Sequence, residues 1–242
     1  MNKLYVVGIG PGSFEDMTIR ALNVLNGCDV IIGYTVYVEL VRKYFKDAEF
    51  LSTPMRKEKE RCIMALEQAA KGRRTAVICS GDAGVYGMAG LVLELGKGYP
   101  NVEIEVVSGI TAALSGGALL GAPLTHDFAV ISLSDLLTSW ETIENRLKAA
   151  AEGDFAVCIY NPSSKKREGY LKKACDIMLK YKDGSTVCAA VRNIGREGVE
   201  KHILTLNELR EYKADMFTTV FIGSSETKEI NGFVVTPRGY SL

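Results

Sequence analysis

Residues 78–88, ICSGDAGVYGM, end an apolar β-branched run in a glycine-rich loop that carries one carboxylate, Asp82. Glycines after a strand let the main chain come close to a ligand, yet the lysine of a phosphate loop is missing here and a carboxylate would repel an anion. The loop therefore suits a cationic or hydroxyl-rich ligand, such as an amine or a sulfonium cofactor with its ribose. A metal ion would suit the charge too, although one carboxylate with no nearby acidic or histidine partner is a thin ligand set. Capping of the following helix is the structural alternative for Asp82.

The opening GIGPGS is a partial dinucleotide fingerprint: its third glycine would fall on Ser13, and Pro11 sits inside the turn. The acid that should end the second strand is absent, since Asp29 precedes the VIIG run. A strand-end glycine loop facing a ligand remains, beside the plainer reading of a tight turn. His126 and Asp127 adjoin a turn-rich boundary, where a histidine could act as acid or base, although a lone histidine is more often structural. His202 lies in a strand-like stretch with no polar cluster. Arg192, Arg196 and Arg238 fall in loop-like segments, and Arg192 follows the apolar run TVCAAV, a position from which a guanidinium can grip a carboxylate. Lys165, Lys166 and Arg167 follow YNPSS, where solvated surface charge is the plainer reading. No serine sits in GxSxG and no cysteine has a recognisable base, so covalent hydrolysis is poorly supported.

The elements that must hold these residues alternate. LYVVG, DVIIGY, TAVICSG and VEIEVVSG read as strands apolar on both faces. MTIRALNVLNGC, VYVELVRKYF, KEKERCIMALEQAAKG and VYGMAGLVLELGKG read as helices between them. This pattern predicts a parallel sheet covered by helices. GAPLTHDF interrupts the helix ITAALSGGALL and marks a boundary, giving domains 1–121 and 122–242. In the second, FAVISL, FAVCIYNP and TVCAAVRN alternate with WETIENRLKAAAE and KREGYLKKACDIMLKYK, and the tail KHILTL, FTTVFIG and GFVVTP predicts added antiparallel strands in a mixed sheet. The expectation is two α/β domains with a cleft between them.

The totals narrow the class. Lys plus Arg equals Asp plus Glu at 29 each, so no global field draws nucleic acid or an anionic membrane. Aromatic residues at 8% give no stacking platform for single strands. The six cysteines are scattered without a CxxC pair and read as core residues of a reducing cytoplasm; no apolar run approaches a membrane span.

The set VGIGPG, SGDAGVYG, SGITAA and GAPLTHD resembles the tetrapyrrole methylases, S-adenosylmethionine-dependent enzymes of cobalamin and sirohaem synthesis. Within that family HDFAVISLSDLLTSWETIENRL, IYNPSSKKR, VRNIGREG and VTPRGYSL look like the branch that methylates C17 of precorrin-3B or cobalt-factor III with ring contraction. The resemblance implies a homodimer of two α/β domains binding S-adenosylmethionine in the cleft and releasing S-adenosyl-L-homocysteine. It implies cofactor contacts at Pro11, Ser80, Gly81, Asp82, Ala83, Val85, Tyr86, Thr111, Ala112, Tyr160, Asn161, Arg192 and Asn193. It places Gly10 and Gly12 at the mouth where the tetrapyrrole enters, with no metal held by the protein; Ser132 is expected to bind the substrate too, as are Arg192 and Arg238, from their loop positions after apolar strands. Asp82, His126 and Asp127 are the acid–base candidates for ring contraction. Small residues at the loops would let the cofactor pack on the main chain. Ser108 departs from the family's proline before GITA, which predicts a looser entry into the helix carrying Thr111. The chain ends at PRGYSL with no CxxC, so the extra domain of some relatives is not expected. Methylation at another tetrapyrrole carbon (C11, C20 or a uroporphyrinogen position), a nucleotide-binding oxidoreductase and a non-catalytic tetrapyrrole carrier are the alternatives.

Overall fold

A computed structural model describes residues 2–164 and 167–241. The chain forms two compact units, Met1–Thr111 and Ala112–Leu242.

The first unit alternates without exception: β1 (Asn2–Gly8), α1 (Ile19–Asn26), β2 (Val30–Tyr34), α2 (Thr35–Val41), β3 (Glu49–Thr53), α3 (Glu58–Ala70), β4 (Thr75–Cys79), α4 (Ala89–Gly96) and β5 (Val102–Val107). Its sheet has the order β3-β2-β4-β1-β5 with every pair parallel. Side-chain alternation along the strands divides the core. Leu4 and Val6 pack with Cys62, Leu66 and Val92 of α3 and α4 on one face, while Tyr5 and Val7 pack with Ala21, Leu25 and Val38 of α1 and α2 on the other. The neighbouring strands β1 and β4 therefore send their carboxyl loops to opposite faces, the arrangement in which open α/β sheets present ligand loops. β3 is missing from the alternation read in the sequence, because EFLST is short and edges the sheet, with Glu49 and Ser52 exposed.

The second unit runs α5 (Ala112–Leu120), β6 (Gly121–Ala122), β7 (Phe128–Ser132), α6 (Trp140–Glu152), β8 (Ala156–Tyr160), α7 (Tyr170–Met178), β9 (Val187–Arg192), β10 (Glu200–Thr205), α8 (Leu206–Glu211), β11 (Thr218–Ile222), β12 (Lys228–Ile230) and β13 (Phe233–Val235). Its main sheet, β10-β9-β11-β8-β7, is mixed: β7 and β8 are parallel, and β11 and β10 run antiparallel to their neighbours. The last strands do not extend this sheet; β12, β13 and β6 form a small sheet of their own. The tail also holds α8, set by a full capping box in which Thr205 accepts from Glu208 N and the Glu208 carboxylate accepts from Thr205 N. The division between units falls at Thr111 rather than at residue 121, because α5 packs with the second unit: Gly116 lies against Phe221 of β11 and Ile194. The six cysteines are buried free thiols. Burial pushes Cys28, Cys62 and Cys175 up to about 12 and Cys79 to about 11, as expected of core residues.

Candidate functional site

In the first unit the ends of β1, β4 and β5 converge. Gly10 and Gly81 exchange backbone hydrogen bonds, Gly10 N donating to Gly81 O at 3.1 Å and Gly81 N to Gly10 O at 2.7 Å. Asp82 joins the third strand end: Oδ1 accepts from Gly84 N at 2.7 Å and Oδ2 from Gly109 N at 2.9 Å. The helix after this loop starts at Ala89 with Met88 as its cap, so Asp82 does not cap it. Its carboxylate instead ties the β4 loop to the β5 loop.

The glycines have a different cause from the one expected. A Cβ on Gly109 would lie 2.2 Å from Gly81 O and 2.6 Å from Gly8 O, and one on Gly8 would lie 2.6 Å from Gly109 N. Main chain packs on main chain here, before any ligand is considered. Ser108 does not leave the segment untethered, since its carbonyl accepts from the Thr18 hydroxyl at 3.4 Å and the next amide is held by Asp82. The GIGPGS loop is also unlike a dinucleotide turn: α1 begins only at Ile19, capped by Thr18, and Ser13 donates to Asp16 at 2.5 Å. Pro11 is buried, Gly12 is half-buried, and Ser80, Asp82, Val85 and Thr111 are half-buried around buried Gly81 and Ala83. Tyr86 is exposed and has a left-handed backbone at φ 53°, a conformation that non-glycine residues adopt at a cost.

In the second unit β7, β8 and β9 point the same way, because β11 is antiparallel to both β8 and β9. Their carboxyl ends therefore bring together Ser132, Tyr160, Asn161, Arg192 and Asn193. Asn161 Nδ2 donates to Ser132 Oγ at 2.9 Å, and the Tyr160 hydroxyl accepts from Ala113 N at 2.8 Å, which seats the start of α5, next to Ala112, on β8. Asn161 and Asn193 are both left-handed, at φ 52° and 55°. Asn193 Nδ2 donates to Gly198 O at 3.2 Å.

Arg192 is less available than the sequence suggests. Its Nε donates to Asp215 at 2.7 Å and its Nη1 lies 3.5 Å from Glu200. Burial alone would raise the Asp215 carboxyl, but Arg192, the Thr218 hydroxyl and Phe217 N outweigh it and hold the group below its ordinary value. These acids are distant in sequence and could be found only through β-pairing.

His126 and Asp127 are not brought to this edge. They precede β7, at the opposite end of that strand from Ser132, and are exposed; His126 Nδ1 accepts from Asp127 N at 2.8 Å. Arg238 is exposed beyond β13, and Arg196 lies 5.5 Å from the Phe217 ring. His202 faces the Tyr212 ring at 5.7 Å. Lys165 and Lys166 lie outside the described residues. One cation escapes sequence reasoning, Arg61, buried among Thr53, Pro54 and Met88; Arg167, read there as solvated surface charge, has a side chain only 13% exposed, with its Nη1 3.9 Å from Asp135. Among the described residues, no group of three or more His, Cys, Asp and Glu could hold a metal ion. Nor is any helix among them long and apolar enough to cross a membrane.

An S-adenosylmethionine-like ligand fits these groups. Each oxygen of Asp82 uses one acceptor site and keeps another. The loop that carries it has no cationic side chain from residue 80 to residue 88.

A family model described as Tetrapyrrole (Corrin/Porphyrin) Methylases matches residues 3–210. The chain is 45% identical over 240 residues to a protein of Salmonella typhimurium named "Probable cobalt-factor III C(17)-methyltransferase", covering 99% of this chain and 100% of that one. It is 37% identical to the precorrin-3B C(17)-methyltransferase of a Sinorhizobium species, over 98% and 97% of the two chains. The crystal structure of the methyltransferase CobJ superposes with a TM-score of 0.91 at 34% identity, covering 98% of this chain and 100% of that one.

Proposed function

Because the chain belongs to the tetrapyrrole (corrin/porphyrin) methylases, we propose that it transfers a methyl group from S-adenosylmethionine to C17 of cobalt-factor III, with ring contraction, in cobalamin biosynthesis. The observation that carries this reading is the 45% identity, over 99% of the chain, to a relative named for that reaction. A precorrin-3B substrate is the second reading, favoured by the full-length likeness at 37% identity.

When bound, the cofactor supplies a methyl group on a cationic sulfur: the new C–C bond forms as the C–S bond breaks, the electron pair stays on sulfur, and S-adenosylhomocysteine leaves. The work left to the protein is alignment and exclusion of water. In the first unit Pro11, Ser80 to Ala83, Val85, Tyr86 and Thr111 are assigned to the cofactor. In the second, Ala112, Tyr160, Asn161 and Asn193 are assigned to it as well. Asp82 offers its remaining lone pairs to the ribose hydroxyls or to a cationic group. Gly10, Gly12 and Ser132 are assigned to the tetrapyrrole, with Arg238 for a peripheral carboxylate. Arg192 shapes the edge through Asp215 more than it contributes free charge. Asp82 is the acid–base candidate that lies among the cofactor residues. The reading includes a homodimer in a reducing cytoplasm, consistent with six buried free thiols.

The test is anaerobic incubation with methyl-labelled S-adenosylmethionine and either cobalt-factor III or precorrin-3B, with NMR of the product. A C17-methylated, contracted ring from cobalt-factor III is expected. Turnover of precorrin-3B alone would move the protein to the second reading. Binding of S-adenosylhomocysteine without methylation of either substrate would sink both.

A further inference from the structure

The loop between β7 and α6, residues 133–139, presents two adjacent leucines to solvent. Leu136 is 63% exposed and Leu137 fully exposed, while Leu133 is buried and Ser134 and Thr138 are half-buried. Leu133 N donates to Tyr160 O at 2.9 Å and Ser134 N to Ser132 Oγ at 3.2 Å. Asp135 accepts from the Tyr170 hydroxyl at 2.7 Å, and the Tyr170 ring rests edge-on against Trp140 at 4.8 Å. On the far side Ser139 caps α6 by accepting from Thr142 N. The two leucines are thus held in water by a loop fastened at both ends, a steady loss of hydrophobic free energy unless something apolar covers them.

Arg167 stands against the same loop. Among the described residues its Nε is buried with no hydrogen-bond partner, and its Nη1 reaches Asp135 only at 3.9 Å. A guanidinium carries five donors, and this one is far from spent, in contrast to Arg192 with its two acids.

We infer that this loop is the substrate-reading surface of the second unit: Leu136 and Leu137 pack against the apolar face of the tetrapyrrole, and Arg167 takes one of its peripheral carboxylates. The inference rests on the tetrapyrrole reading above and names the residues that select this substrate. The loop's continuity with Ser132 and Asn161 on the same sheet edge and the pairing of an apolar face with a cation favour a flat macrocycle rimmed by acids. A second copy of the chain would need only the apolar part.

The test is an equilibrium titration of cobalt-factor III, followed by its visible absorption, with no S-adenosylmethionine present so that turnover plays no part. The wild type is compared with Leu136→Ser/Leu137→Ser, Arg167→Gln, Arg167→Lys and Asp135→Asn, with S-adenosylhomocysteine affinity and sedimentation measured on each. The leucine variant and Arg167→Gln are expected to bind the tetrapyrrole about tenfold or more weakly, with unchanged S-adenosylhomocysteine affinity and oligomeric state. Arg167→Lys should recover part of the loss, and Asp135→Asn, which keeps an acceptor for Tyr170 and frees Arg167, should bind at least as tightly as wild type. Equal binding by wild type and the leucine and Arg167→Gln variants overturns the inference and leaves the methylase reading standing. So does a leucine variant whose sedimentation changes while its tetrapyrrole affinity does not, which assigns the leucines to a second copy. Weakening by Asp135→Asn equal to that of Arg167→Gln would reduce Arg167 to a brace. A wild type that binds no tetrapyrrole overturns the substrate reading itself.

Discussion

Asp82 Oδ2 and Gly109 N, 27 residues apart in sequence, meet at 2.9 Å and join the loop after β4 to the loop after β5. The same carboxylate holds Gly84 N through its other oxygen. Asp82→Ala removes both acceptors and is expected to cost about 1–3 kcal/mol, the usual range for a buried N–H donor left without a partner; the cost falls on part-buried Gly109 N, since exposed Gly84 N can turn to water. Calorimetry should show S-adenosylhomocysteine binding weakened well below the melting range. Asp82→Asn, which keeps one oxygen, should fall between Ala and wild type; affinity equal to wild type in both variants would remove Asp82 from the cofactor site.

The crowding around Gly109 makes a sharper prediction. Gly109→Ala places a methyl 2.2 Å from Gly81 O, so a main chain must move, and the variant should lose several kcal/mol, on the order of a badly overpacked core, in urea unfolding. A Cβ added to Gly90, inside α4, would meet nothing within 4 Å, and Gly90→Ala should gain about 0.5–1 kcal/mol from helix propensity. Equal effects at the two positions would refute the packing account.

Lys182 and Asp154 form an ion pair at 2.7 Å with the lysine side chain only 2% exposed. Asp154→Ala leaves that cation buried and unpaired and should cost about 3–5 kcal/mol, whereas Lys182→Met should cost much less. Burial would raise the Asp154 carboxyl, but Lys182, the Ser225 hydroxyl and Ser225 N outweigh it and lower the group from 3.8. A carboxyl lowered in the folded state adds stability that is present above 3.8 and lost as pH falls through its folded value. The acid limb of a stability–pH curve should therefore flatten in Asp154→Asn.

His126 lies at the end of β7 away from Ser132 and is exposed. His126→Ala is expected to keep kcat and KM within about twofold of wild type, the scale of surface substitutions outside a site. A large fall in kcat with KM unchanged would return this histidine to ring contraction.

Much of this molecule can be read along the chain. Strand–helix alternation gives the parallel sheet because β1, β2 and β4 are buried on both faces and so are written as unbroken apolar runs. The loops SGDAGVYG and YNPSS are visible as strand-end segments for the same reason, and the residue types of the first are enough to suggest a cationic ligand. Short edge elements are not legible: EFLST and KEI carry no period strong enough to compete with loop, and LNELRE is a single capped turn or so of helix. Tertiary structure alone decided which groups meet. Asp82 finds an amide from another loop rather than the helix that follows it, and Arg192 meets Asp215 because β11 runs antiparallel to β9. His126 and Ser132, only six positions apart, are carried to opposite ends of β7 because a strand rises about 3.3 Å per residue. Residue type and local period are properties of a segment, and the sequence states them; partnership is a property of the folded sheet, and only the register supplies it.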